Sequence, residues 1–112
     1  ANTGGKTVAL KTLGIISLMG KCGFPVPVSE KSKIKFFEKI FIDIGDEQDI
    51  SSDLSTFSAH ITNINSFLEH CDNNTLIIID ELGTGTDPKD GAAIGRALIE
   101  YILKKDSFAA IT

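Results

Sequence analysis

The chain is poor in the features that mark several protein classes. It has only two cysteines, Cys22 and Cys71, with no CxxC pair and no histidine cluster beside either. This argues against a disulfide scaffold and a cysteine-based metal site, and it suits two reduced thiols in a cytoplasmic protein. No apolar run approaches the roughly 18–20 residues that a bilayer-spanning helix needs, and no basic n-region precedes an apolar h-region. No membrane partner is expected. The 11 lysines and arginines are scattered, and the net charge is −4. Lys31, Lys33, Lys35 and Lys39 are interrupted by other residues and read as a solvated edge. Nucleic-acid-binding faces need clustered positive charge, so such contacts are expected from segments outside this chain. There is no internal repeat and no low-complexity segment.

What is present fits one compact domain at most. The chain has 112 residues, 42% of them hydrophobic and 23% charged, a balance that suits a folded globular protein. It opens on Ala1-Asn2-Thr3-Gly4-Gly5-Lys6-Thr7 and continues into an apolar stretch from Val8 to Met19. That stretch is apolar most of the way round, as in a helix buried within an α/β layer. Gly20, Gly23, Pro25 and Pro27 end it. Ile34 to Ile44 reads as strand, best at Ile40–Ile44, and Asp46 to Ser52 as a surface loop. From about Ser55 the period becomes helical, with Phe57, Ile61, Ile64 and Leu68 on one face and Ser58, Asn65 and Glu69 on the other.

Leu76-Ile77-Ile78-Ile79 is a short aliphatic run of the kind found in strands covered on both faces. Asp87-Pro88 reads as an N-cap followed by proline at the first helical position. Ile94, Ala97, Leu98, Tyr101 and Ile102 then form an amphipathic stripe, and Phe108 to Thr112 reads as the start of another buried strand. This alternation predicts an α/β fold with a mostly parallel sheet flanked by helices.

Two segments carry chemistry. Gly4-Gly5-Lys6-Thr7 matches the end of the phosphate-loop pattern GxxxxGK[ST], whose first glycine would precede Ala1. Glycines let successive N–H groups converge on phosphate oxygens, lysine neutralises the β- and γ-phosphates, and threonine offers a hydroxyl to Mg²⁺. An ordinary turn before a helix could use the same four residues. The second segment tips the balance: about 70 residues later the aliphatic run delivers Asp80-Glu81 at its end. In an open parallel sheet that end is where ligands bind. Asp80 would hold Mg²⁺ through a water, and Glu81 would orient or polarise the attacking water. The expected ligands are therefore a nucleoside triphosphate and Mg²⁺.

Asn2 to Thr7, then Leu54-Ser55-Thr56-Phe57, then Asp80-Glu81-Leu82-Gly83-Thr84-Gly85-Thr86-Asp87, resembles the ATPase domain of the bacterial MutS family. Phe24-Pro25-Val26-Pro27 and Asp43-Ile44-Gly45-Asp46-Glu47-Gln48 are similar to its second-type branch, which lacks the mismatch-recognition domain. The resemblance runs the whole length of the chain. It implies a P-loop NTPase of the ABC class, here a single partial domain over 1–112, cut at both ends. Its parts would be a phosphate loop at 1–7, a signature region at 54–57 and an acidic pair at 80–81.

By resemblance, the nucleotide is ATP; Asn2, Thr3, Gly4, Gly5, Lys6 and Thr7 bind it, and Thr7 and Asp80 bind the metal. Glu81 and Lys6 serve the reaction, and Ser55 acts in trans on the γ-phosphate held by the partner of a homodimer. Ser55 also suits a plain helix N-cap. Gln48 and Asp49 fall where the family's Q-loop lies, and Gly83, Gly85 and Thr86 resemble its dimer-facing turn. Ala1 stands where the family has proline, and the family's switch histidine would follow Thr112. His60 and His70 read as surface residues. The resemblance further implies a clamp that acts on DNA through other domains, in recombination or repair. A role on stalled ribosomes is the alternative, and nothing between Ala1 and Thr112 separates the two. An ABC transporter subunit is disfavoured, since Leu54-Ser55-Thr56-Phe57 replaces its Leu-Ser-Gly-Gly-Gln. With half of a composite site on a partner, the isolated chain is expected to hydrolyse ATP poorly.

Overall fold

The computed structural model describes residues 4–44 and 53–112, the side chains of 53–56 excepted. The elements run α1 (Lys6–Lys21), β1 (Lys39–Asp43), α2 (Asp53–Leu68), β2 (Thr75–Ile79), α3 (Pro88–Lys104) and β3 (Phe108–Ile111). The strands form a three-stranded sheet in the order β1-β2-β3. Both pairings are parallel, with Phe41 opposite Ile77 and Ile77 opposite Ala109. The α/β class and the parallel sheet expected from the alternation are what the chain adopts.

β2 is central because its sequence can be buried on both faces. All five of its residues are buried, and Ile77 and Ile78 are 0% exposed. Each such side chain contributes about 1.5–3 kcal/mol over its exposed state. Successive side chains point to opposite faces, so two cores form. On one face Ile77 and Ile79 pack with Ile64, Phe67 and Cys71 of the α2 region and with Leu98 and Ile102 of α3. There Phe41 stacks on Phe67 with centroids 4.9 Å apart. On the other face Leu76 and Ile78 pack with Leu10 of α1 and with Phe37.

α1 departs from expectation. Only Leu10, Gly14 and Ser17 are buried, one stripe at helical spacing, while Val8, Ile15 and Leu18 are exposed. The helix touches the sheet along that stripe, and the described residues place nothing over its apolar outer face. β3 departs likewise. It stands at the edge of the described sheet, with Phe108 and Ala109 exposed. The apolar run before β1 is extended by sequence but enters the sheet only at Lys39. α3 begins as read from the sequence, with the Asp87 side chain accepting from the Lys89 amide and Pro88 at its first position. Its buried stripe is Gly91, Gly95, Leu98 and Ile102, and Ala97 is exposed. Among the described residues, no helix is long and apolar enough to cross a membrane.

Candidate functional site

The C-terminal ends of the strands and the start of α1 meet at Asp80. α1 opens after Gly5, whose φ of 65° lies in the left-handed region that glycine enters without strain. No side chain among the described residues caps this helix, and its first turn holds no acid. Its leading N–H groups therefore lack intrahelical partners and carry the positive end of the helix dipole. Lys6 is exposed at this mouth, and Thr7 is half-buried beneath it.

Thr7 makes the link across the fold. Its hydroxyl Oγ1 donates to Asp80 Oδ2 at 2.5 Å, joining residues 73 apart in sequence. Asp80 is only 7% exposed, directly after β2. Thr112 Oγ1 donates to the other carboxylate oxygen, Oδ1, at 2.5 Å. The same hydroxyl accepts the Glu81 amide at 3.0 Å, so Thr112 ties the end of β3 to the acidic pair. The Asp80 amide donates to the Asp43 carbonyl at 3.0 Å, which seats it against β1. Burial pushes the Asp80 carboxyl up. The Thr112 and Thr7 hydroxyls, the Glu81 amide and the Lys6 charge outweigh it and hold the group below the ordinary carboxylate range.

Glu81 is exposed and has a φ of 55°, uncommon for a residue with a side chain. Such a conformation costs on the order of 1–3 kcal/mol and persists where its surroundings enforce it. Here its carbonyl accepts from both the Thr84 amide (3.2 Å) and hydroxyl (2.9 Å), while the Leu82 amide donates to the Thr112 carbonyl at 2.8 Å. The turn then lies directly on α3. A Cβ at Gly91 would stand 2.2 Å from the Gly83 carbonyl oxygen, so only glycine permits this approach of two main chains.

The structure thus brings together Gly4, Gly5, Lys6, Thr7, Asp80 and Glu81. Asn2, Thr3, Gln48 and Asp49 lie outside the described residues. Ser55 belongs to the first turn of α2 by its backbone, and its side chain is outside the described set. His70 is exposed as expected, but the reading of His60 as a surface residue is corrected. It is half-buried, with Nδ1 2.5 Å from Asp43 Oδ2. Hydropathy periodicity treats a polar position as solvated and does not reveal a buried acid waiting on the neighbouring strand. Thr112 was also missed as a site residue. Its only signal was its place just past a strand parallel to the one that ends in Asp80.

Chemically, this is an uncapped, positively polarised helix start beside a carboxylate bound by two hydroxyls. Among the described residues, no three His, Cys, Asp or Glu side chains gather where a metal could sit. A cation held by Thr7 and Asp80 alone would need phosphate and water oxygens to complete its shell. That is the usual arrangement for Mg²⁺, which takes one or two carboxylates and keeps its remaining ligands from substrate and solvent.

Comparison with known proteins agrees in family. The family model for MutS domain V matches residues 1–111. Over 111 residues the chain is 57% identical to a protein of Aquifex aeolicus, 55% to one of Fusobacterium nucleatum and 51% to one of Enterococcus faecalis, each named endonuclease MutS2. Each match covers 99% of this chain but only 15%, 14% and 14% of the respective relative. The chain therefore spans about 15% of the length of these relatives. It belongs to the MutS family, as a form of that family's domain V.

Proposed function

We propose that the chain is the nucleotide-binding core of a P-loop, ABC-class ATPase that works as a dimer within a MutS-like clamp on DNA. The observation that carries this is the 2.5 Å bond between Thr7 and Asp80. A Lys-Thr pair opening a helix and an acid closing a buried strand meet as the two halves of an NTP·Mg²⁺ site should. Gly4 and Gly5 leave room for phosphate oxygens at the helix start, and Lys6 supplies the charge for the β- and γ-phosphates. Thr7 and Asp80 would hold Mg²⁺, which supplies charge neutralisation on the phosphates when bound. Glu81, presented on its strained turn, orients a water for in-line attack on the γ-phosphorus. The resulting bond forms as the bridging oxygen leaves with ADP. Asn2, Thr3 and, from the partner, Ser55 complete the cradle in this reading. The MutS2 relatives are named endonucleases, which favours nucleic acid over the ribosome as the target and supports a role in DNA repair or recombination.

The test uses the full-length protein with ATP and Mg²⁺. Lys6→Ala should abolish binding of a fluorescent ATP analogue. Glu81→Gln should bind it normally while turnover falls on the order of 100-fold or more. Unchanged steady-state hydrolysis by Glu81→Gln would remove Glu81 from the reaction, and normal binding by Lys6→Ala would overturn the site.

A further inference from the structure

A second polar cluster lies beside the acidic pair and is not used by the chemistry above. Asp43 ends β1 and is only 7% exposed, at a position facing the same core as Phe41 and Ile79. An aliphatic residue there would seal the helix to the sheet without the desolvation that a carboxylate suffers. Instead both oxygens are claimed from α2. His60 Nδ1 lies 2.5 Å from Oδ2, and Asn63 Nδ2 donates to Oδ1 at 2.7 Å. A carboxylate only accepts, so the Nδ1 of His60 carries the proton. His60 and Asn63 are one helical turn apart and share a face.

We propose that Asp43, His60 and Asn63 form a clamp that sets the roll and height of α2 over the acidic pair, making His60 a positioning residue for ATP hydrolysis. The inference rests on the ATPase reading above and deepens it. Apolar packing alone lets a helix slide or turn on a sheet, whereas two directional bonds to one carboxylate fix both motions. The same Asp43 accepts the Asp80 amide through its carbonyl at 3.0 Å. One residue therefore holds α2 by its side chain and the metal-binding acid by its main chain. The narrow cleft between them is lined by Phe57, His60 and Ile61 on the α2 side and by Asp80 and Glu81 on the other. Ser55, which acts in trans in this reading, stands on the same helix one and a half turns before His60. A displacement of α2 is thus delivered to Asp80, and a shift of the acidic strand end is delivered to the helix that reaches the partner's nucleotide.

The experiment compares His60→Ala, His60→Leu and His60→Asn with the unaltered full-length protein, measuring ATP turnover and Mg²⁺-dependent binding of a fluorescent ATP analogue. The asparagine amide nitrogen takes the place of Nδ1 and keeps the bond to Asp43, while leucine fills space without a donor. His60→Ala should lower kcat on the order of 10- to 100-fold and leave nucleotide affinity within about 2-fold. His60→Asn should recover kcat to within about 3-fold of the unaltered protein. Turnover unchanged in His60→Ala, or kcat and affinity lost together, would overturn the clamp. Should His60→Ala not fold, the remaining pair decides: equal damage in His60→Asn and His60→Leu refutes the proposal, and recovery in His60→Asn alone supports it. Lys6→Ala separates the two levels. If it still binds nucleotide, the ATPase reading fails and the clamp falls with it. If it does not bind and His60→Ala turns over normally, only the clamp is lost.

Discussion

At the N-terminal end of β2, Asp72 is met by a cation. Lys39 Nζ lies 2.5 Å from its Oδ2, and the Asn74 amide and Thr75 hydroxyl donate to Oδ1 at 2.9 and 3.0 Å. Lys39 also reaches the His70 carbonyl, and Ser107 donates to the Asp72 carbonyl. At the C-terminal end, Asp80 is met by hydroxyls, from Thr7 and Thr112, with Lys6 acting from further off. Asp72 is well exposed, and its charge is cancelled on the spot. Asp80 is buried, and its charge is solvated by donors but not cancelled. A parallel sheet places its ligands at the strands' C-terminal end, and here the uncancelled charge is at that end. The difference separates an acid whose charge is spent within the fold from one whose charge stays available, as the proposed metal site requires.

Isosteric substitution is the strongest way to break this contrast. Asp80→Asn should lower Mg²⁺-dependent turnover on the order of 100-fold with little change in melting temperature. Asp72→Asn should do the reverse, lowering the melting temperature measured by circular dichroism and leaving turnover intact. Loss of turnover in both, or in neither, would erase the distinction. Acid titration gives a smaller effect. Lys39 first, then the Asn74 amide and the Thr75 hydroxyl, bring the Asp72 carboxyl down from 3.8 to about 2. A depressed carboxylate contributes its stability in full above its unfolded pKa, so this contribution is present above about pH 4. It is lost as pH falls toward about 2, and Asp72→Asn should flatten the unfolding curve in that window. The smallest effect is that of salt. Raising KCl from about 0.1 to about 1 M should narrow the stability gap between Asp72→Asn and the unaltered chain, because the exposed Lys39–Asp72 pair is screened.

How much of this was legible beforehand differs by element. β2 and the start of α3 could be read directly, since Leu76–Ile79 admits little but a buried strand and Asp87-Pro88 is a local signal. That Thr7 and Asp80 lie together was legible from the expectation that named both for one metal site. α1 and β3 were read as buried because apolar letters report what a segment can bury, not which neighbours stand over it. Val8, Ile15 and Phe108 are exposed among the described residues for that reason. Asp43, His60 and Thr112 were illegible as partners because each bond crosses between elements, and nothing in a polar residue's own neighbourhood names its partner across the sheet.

The reach of the bonds at Asp80 also bears on how the molecule comes into being. One hydroxyl comes from Thr7, 73 positions earlier, and the other from Thr112, 32 positions later. Contacts of such separation form late, after the loops between them have been closed. Until β3 docks on β2, Thr112 does not stand beside Asp80. The carboxylate is then without one of its two donors, and the turn at Glu81 lacks the bond that holds it. The ordered carboxylate at the end of β2 is thus completed only when β3 docks, so its environment reports on the assembly of the three-stranded sheet.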